Sequence, residues 1–174
     1  MKSIINIFVS GIFLIFTDAV SQEREPELEG EKNEVSVFAG GTSNLMNHST
    51  SATVGIEYLR LLGKEGTWAV GVVGESVFAK HTEFLFTGLI YFSPFNTEKN
   101  NLWIWTGPGI EYLKEEEPDP PDPMETKTVS EFVYRIGAGY FWEFKRFNVA
   151  PTVDIDIIRD NTSLVWGVNV GYGF

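Results

Sequence analysis

Between residues 162 and 174 the chain alternates without a break. Leu164, Trp166, Val168, Val170, Tyr172 and Phe174 fall on one parity, and Val165, Gly167, Asn169, Gly171 and Gly173 on the other. Side chains of an extended strand point to opposite faces with a period of two, so this segment predicts a strand with one large apolar face and one face of little but glycine. Residues 128–143 repeat the arrangement, with Phe132, Tyr134, Ile136, Ala138, Tyr140 and Trp142 against Glu131, Val133, Arg135, Gly137, Gly139 and Phe141. In 147–158, Val149, Val153, Ile155 and Ile157 oppose Thr152, Asp154 and Asp156. No helical period of 3.6 appears beyond the N-terminal region.

Strands are expected at 34–41, 51–62, 67–79, 82–92, 101–113, 128–143, 147–158 and 162–174. Turn chemistry separates them: Gly63-Lys64-Glu65-Gly66, the stretch 93–100 with Pro94, Asn96 and Asn100, the charged 143–146, and Asp160-Asn161. Pro108 and Pro151 fall inside expected strands, where a missing N–H deletes a ladder hydrogen bond, so bulges are expected at both.

The N-terminus reads differently. Lys2 precedes an apolar run from Ile4 to Phe16, and Ala19-Val20-Ser21 supplies small residues of the kind a signal peptidase reads. Residues 1–21 are therefore expected to be a cleaved signal peptide. The run is short for a membrane-spanning helix, which needs roughly 20 apolar residues. Residues 22–33 are acidic, lack aromatics and contain Pro26, and read as a flexible leader. A single barrel domain over 34–174 accounts for the rest. The chain has no cysteine, so neither a disulfide nor a cysteine-ligated metal is available. Its net charge is −11 with no basic stripe, which argues against nucleic acid as a partner.

Alternation alone fits a soluble sandwich as well as a membrane barrel. The side opposite the apolar face decides between them. A water-facing surface carries many Lys, Glu, Thr and Gln, whereas here that side is mainly glycine with isolated charges. Such a side suits a narrow, filled lumen, and the large apolar side then faces lipid. Tyr58, Phe92, Tyr112, Trp142 and Tyr172, near strand ends, are expected as interfacial girdles. The predicted fold is all-β: a transmembrane, up-and-down antiparallel barrel of about eight strands.

With this pattern, and with the closing Val170-Gly171-Tyr172-Gly173-Phe174, the chain resembles the small outer-membrane β-barrel superfamily of eight-stranded OmpX-like and OmpA-like barrels. Arg135-Ile136-Gly137-Ala138-Gly139-Tyr140 also looks like a strand of such proteins. The resemblance implies residence in the bacterial outer membrane among its lipids, and recognition of Tyr172 and Phe174 by the barrel-assembly machinery. It also implies a periplasmic N-terminus, with the connections near 42–50, 79–82, 114–127 and 158–162 outside and those near 63–66, 93–100 and 143–146 periplasmic.

The candidate site is a set of inward charges: Glu57, Glu75, Glu111, Arg135, Asp154 and Asp156. Eight strands enclose an interior that side chains can fill, and charges there must pair or meet water. A network centred on Arg135 that plugs the barrel is expected, with a proton or cation path as the functional alternative. Gly-Ile-Glu-Tyr-Leu occurs at 55–59 and again at 109–113, and is read as strand composition with Glu inward and Tyr outward. His48 and His81 are the two histidines. The lipid A deacylases among such barrels use a His, a Ser two residues later and a Glu. Here Thr50 and Glu83 stand two residues after the histidines, so the motif is not reproduced. No catalytic, cofactor or metal residues are expected. The acidic, proline-rich 114–127 loop is expected to be a solvated external segment that could meet an extracellular partner or associate weakly with a divalent ion. The expected function is a structural or surface-interaction role without catalysis. A lipid-modifying enzyme and a narrow channel are the alternatives.

Overall fold

The computed structural model describes residues 33–62, 66–79, 82–96, 100–116, 126–159 and 161–174. The expected signal peptide, all of the leader but residue 33, His81 and most of the 114–127 loop lie outside these residues. Eight strands follow in order: β1 (Asn33–Asn44), β2 (Ser49–Leu62), β3 (Trp68–Phe78), β4 (Thr82–Asn96), β5 (Asn100–Glu116), β6 (Thr126–Phe144), β7 (Phe147–Ile158) and β8 (Asn161–Gly173). Each pairs antiparallel with its sequence neighbours, and β8 pairs with β1 to close the barrel. Closure leaves no sheet edge running the length of the wall.

Register and parity agree along the strands, except at the end of β4. The residues on one parity are buried in the lumen, and those on the other carry the exposed apolar surface, from Val72 and Ile90 to Phe132 and Trp166. No helix among the described residues is long and apolar enough to cross a membrane; here strands do so.

The prolines behave differently from expectation. Pro108 pairs in continuous register with Tyr134, and Pro151 with Val168. On their other sides the ladders skip a few residues, yet the register is the same before and after the gap, from Thr87↔Gly109 to Ile90↔Thr106 and from Gly139↔Thr152 to Trp142↔Val149. Each proline thus loses pairing toward one neighbour without inserting a residue. The register shift lies instead between Phe92 and Phe95, where Ser93 and Pro94 together oppose Trp103. There the Ser93 N–H reaches back to the Thr67 carbonyl at 2.9 Å. The bulge lets β4 continue to Asn96, four residues into the expected turn. Near Pro108 the strands come close. A Cβ on Gly107 would lie 1.9 Å from the Gly88 carbonyl oxygen, so only glycine fits.

Strands β5 and β6 are the longest, at 17 and 19 residues, and extend beyond their neighbours on the side of the 114–127 connection. Asn44 caps the β1–β2 turn by accepting from the Met46 and Asn47 amides at 2.9 and 3.1 Å. The lumen is filled by two apolar clusters. One gathers Leu59, Val73, Leu89, Trp103, Trp105 and Phe141; a smaller one joins Leu85, Val133 and Ile158. Along β6 and β7, Arg135, Asp154 and Asp156 lie between them.

Candidate functional site

Arg135 is among the largest fully buried side chains of the described residues, 2 % exposed. Its register partner on β7 is Asp156. The guanidinium grips that carboxylate with a parallel pair of bonds, Nε to Oδ1 at 2.6 Å and Nη2 to Oδ2 at 2.7 Å. Nη2 also donates to Glu75 Oε2 on β3 at 2.6 Å. A planar fork is suited to this geometry in a way that an ammonium is not. The clamp spans the lumen from β3 to β7.

The other acids named from the sequence stand apart from this contact. Trp105, Gly137 and Asp154 form one cross-strand row over β5, β6 and β7. The indole reaches across the glycine to donate from Nε1 to Asp154 Oδ1 at 2.5 Å. Glu57 is held by neutral donors: Asn169 Nδ2 at 2.9 Å, Ser36 Oγ at 3.2 Å, and the Tyr91 hydroxyl. Glu111 faces the lumen nearer the 114–127 end, directly opposite Glu131 in the ladder. The two Gly-Ile-Glu-Tyr-Leu segments therefore place their Glu inward and their Tyr outward, but in unrelated surroundings.

Ser36, Tyr91, Trp105 and Asn169 were missed in the sequence reading, which collected charges and overlooked inward-facing neutral donors. Their parity along β1, β4, β5 and β8 was the available signal. These donors stabilise carboxylates that Arg135 does not reach, since a buried anion needs either a counter-ion or several hydrogen bonds.

Between the clamp, Glu57, Tyr91 and Trp105 remains a cavity of about 30 Å³, the share of roughly one water molecule. His48 sits at the end of the β1–β2 turn with positive φ, exposed. Among the described residues, no group of three or more acids or histidines converges to hold a metal ion.

The outer wall completes the picture. Tyr58, Trp68, Phe92, Tyr140, Trp142 and Tyr172 all point outward near the end that carries the β6–β7 turn, with ring pairs Trp68–Phe92 at 4.7 Å and Tyr140–Trp142 at 5.5 Å. Tyr112 and Phe86 pair toward the opposite end at 6.4 Å. Exposed apolar side chains run between the two groups. A closed barrel with an apolar outside, aromatics toward both ends and polar groups confined to a filled interior is a transmembrane β-barrel.

Comparison with solved structures gives the same class. The N-terminal β-barrel domain of Pseudomonas aeruginosa OprF aligns with a TM-score of 0.64 at 15 % identity, covering 83 % of this chain and 99 % of that one. Ail, the attachment invasion locus protein of Yersinia pestis, aligns with a TM-score of 0.62 at 14 % identity, covering 84 % and 100 %. Neisserial surface protein A aligns at 0.63 with 6 % identity, covering 82 % and 96 %. No protein-family model and no curated protein matches the sequence. The chain has the fold of the small outer-membrane barrels, as the OmpX-like and OmpA-like resemblance implied.

Proposed function

We propose that, in the outer membrane, this protein is a plugged barrel with a structural or surface-interaction role, neither an enzyme nor an open pore. The observation that carries this reading is the Arg135 clamp on Glu75 and Asp156, packed between two apolar clusters. A lumen closed by paired charges and aromatic rings offers ions no continuous water path. The lipid of the membrane meets the apolar wall, and the barrel-assembly machinery reads Tyr172 and Phe174, whose rings point to the outside. The extension of β5 and β6 beyond their neighbours supports a role for the 114–127 connection in meeting an extracellular partner.

The test is conductance in planar bilayers together with gel mobility. The protein is expected to give no steady current and to migrate differently before and after boiling, because a closed barrel resists unzipping. A stable open current would replace the plugged reading with the channel reading. Recovery as a soluble periplasmic monomer would overturn the membrane assignment itself.

A further inference from the structure

On the 114–127 side of the clamp the lumen widens into a vestibule of about 360 Å³. Among the described residues its charged lining comprises five carboxylates, Glu75, Glu83, Glu111, Glu131 and Asp156, and one guanidinium, Arg135. That guanidinium is committed to Glu75 and Asp156. The other three acids occupy one wall, on the adjacent strands β4, β5 and β6. Thr42, Asn44, Ser49 and Ser51, from β1 and β2, contribute a neutral hydroxyl and amide lining.

A second observation separates this wall from an ordinary acidic patch. Glu111 is only 8 % exposed, lines the vestibule and makes no hydrogen bond or ion pair with the described residues; Arg135 acts on it only at a distance. Its cross-strand partner is another carboxylate, Glu131. Like charges directly opposite one another in a ladder are destabilising. A cation seated between Glu111 and Glu131 removes that penalty.

We propose that this vestibule binds a small linear di- or polyamine, with one ammonium between Glu111 and Glu131 and the remaining chain directed toward the hydroxyl and amide lining. The metal alternative is disfavoured by spacing. Hard cations such as Ca²⁺ draw about six to eight oxygens into a tight shell, whereas no set of three acids among the described residues converges on one point. An ammonium brings three donors and needs no closed shell. The volume is also that of a multi-atom ligand, within the roughly 300–1,000 Å³ typical of small-molecule sites. The clamp forms the floor of the site, so binding does not require an open pore or an extracellular partner.

Calorimetric titration of spermidine into the folded full barrel in lipid nanodiscs, at physiological ionic strength, tests this. Saturable binding is expected, and Glu111→Gln and Glu131→Gln should each weaken it by about tenfold or more, as loss of a charge-assisted bond implies. Glu143→Gln, at the opposite end of the barrel, should leave it unchanged. A heat-dependent gel shift establishes that each variant is folded. In the wild type alone, putrescine should compete with spermidine at lower concentration than butylamine does. Absence of saturable binding, undiminished binding by the folded Glu111 and Glu131 variants, equal competition by the monoamine, or preferential binding of Ca²⁺ would each overturn the proposal. Conductance, measured separately, reports on the plug and not on this site.

Discussion

Trp105 and Asp154 touch across a glycine: the indole Nε1 lies 2.5 Å from the carboxylate Oδ1, and Gly137 occupies the ladder position between them. A Cβ at Gly137 would stand 2.1 Å from that oxygen and 2.3 Å from the indole nitrogen. Gly137→Ala is therefore expected to push the two groups apart and to cost about 1–3 kcal/mol, the usual range for overpacking a filled interior. Gly88→Ala, where an added Cβ meets nothing within 4 Å, should change stability by less than about 0.5 kcal/mol. Urea unfolding of both variants in lipid vesicles measures the difference. Equal effects would mean that the Trp105–Asp154 contact contributes nothing.

Arg135→Ala leaves Glu75, Asp154 and Asp156 facing one another without a cation. Removing one partner of a buried ion pair typically costs about 3–5 kcal/mol, and a loss of that size is expected here. Arg135→Lys should restore only part of it, since an ammonium cannot reproduce the two parallel bonds to Asp156. Urea unfolding is the check, and an alanine variant as stable as wild type would remove Arg135 from the centre of the plug.

Tyr91→Phe removes a hydroxyl that donates to Glu57 without altering the ring that packs beside Trp105 at 5.4 Å. Leaving that carboxylate short of one donor should cost about 1–3 kcal/mol. Tyr58→Phe serves as the comparison. Its hydroxyl donates to Asn33 at 2.8 Å on the exposed side, and its loss should cost no more than about 1 kcal/mol. Equal effects of the two substitutions would show that Glu57 finds another donor, such as water.

Phe174 joins two roles that can be separated. Its amide donates to the Asn33 carbonyl at 2.8 Å and its carbonyl accepts from the Asn33 amide at 3.1 Å, so its backbone closes the β8–β1 seam. Its ring stacks near Tyr172 at 6.5 Å. Phe174→Ala keeps the seam. If the ring is what the assembly machinery reads, this variant should insert poorly in cells yet, once refolded, unfold at the wild-type urea concentration. Deletion of Phe174 should lower insertion and also cost about 1–3 kcal/mol, for two net backbone bonds. Normal insertion of Phe174→Ala would show that the ring is not the signal.

Much of the architecture was legible because strand parity is a local property. Once Leu164, Trp166, Val168 and Val170 share a face, so does every second residue of that strand, and the opposite face holds Asn169 and the glycines. The same rule placed Glu57, Glu75, Glu111, Arg135, Asp154 and Asp156 on the inward side of their strands. Turn chemistry separated eight segments, although the β4 terminus was read short, because Pro94 marks a bulge there and not a stop. Pro108 and Pro151 misled in the opposite sense. The sequence shows that an N–H is missing, but only the neighbouring strand determines whether that loss inserts a residue or merely opens one side of the ladder.

What the sequence determined by itself is which way each side chain points, since a period of two follows from the backbone alone. Which inward groups meet was decided by the tertiary structure, because stagger between strands sets the height of each residue in the lumen. That stagger brings Arg135 level with Asp156 and within reach of Glu75, lays Trp105 over Gly137 onto Asp154, surrounds Glu57 with Ser36, Tyr91 and Asn169, and leaves Glu111 facing Glu131. Six inward charges thus became a clamp, two carboxylates held by neutral donors, and one acid without a partner among the described residues. Partners drawn from strands far apart in the chain leave no local trace in any one of them.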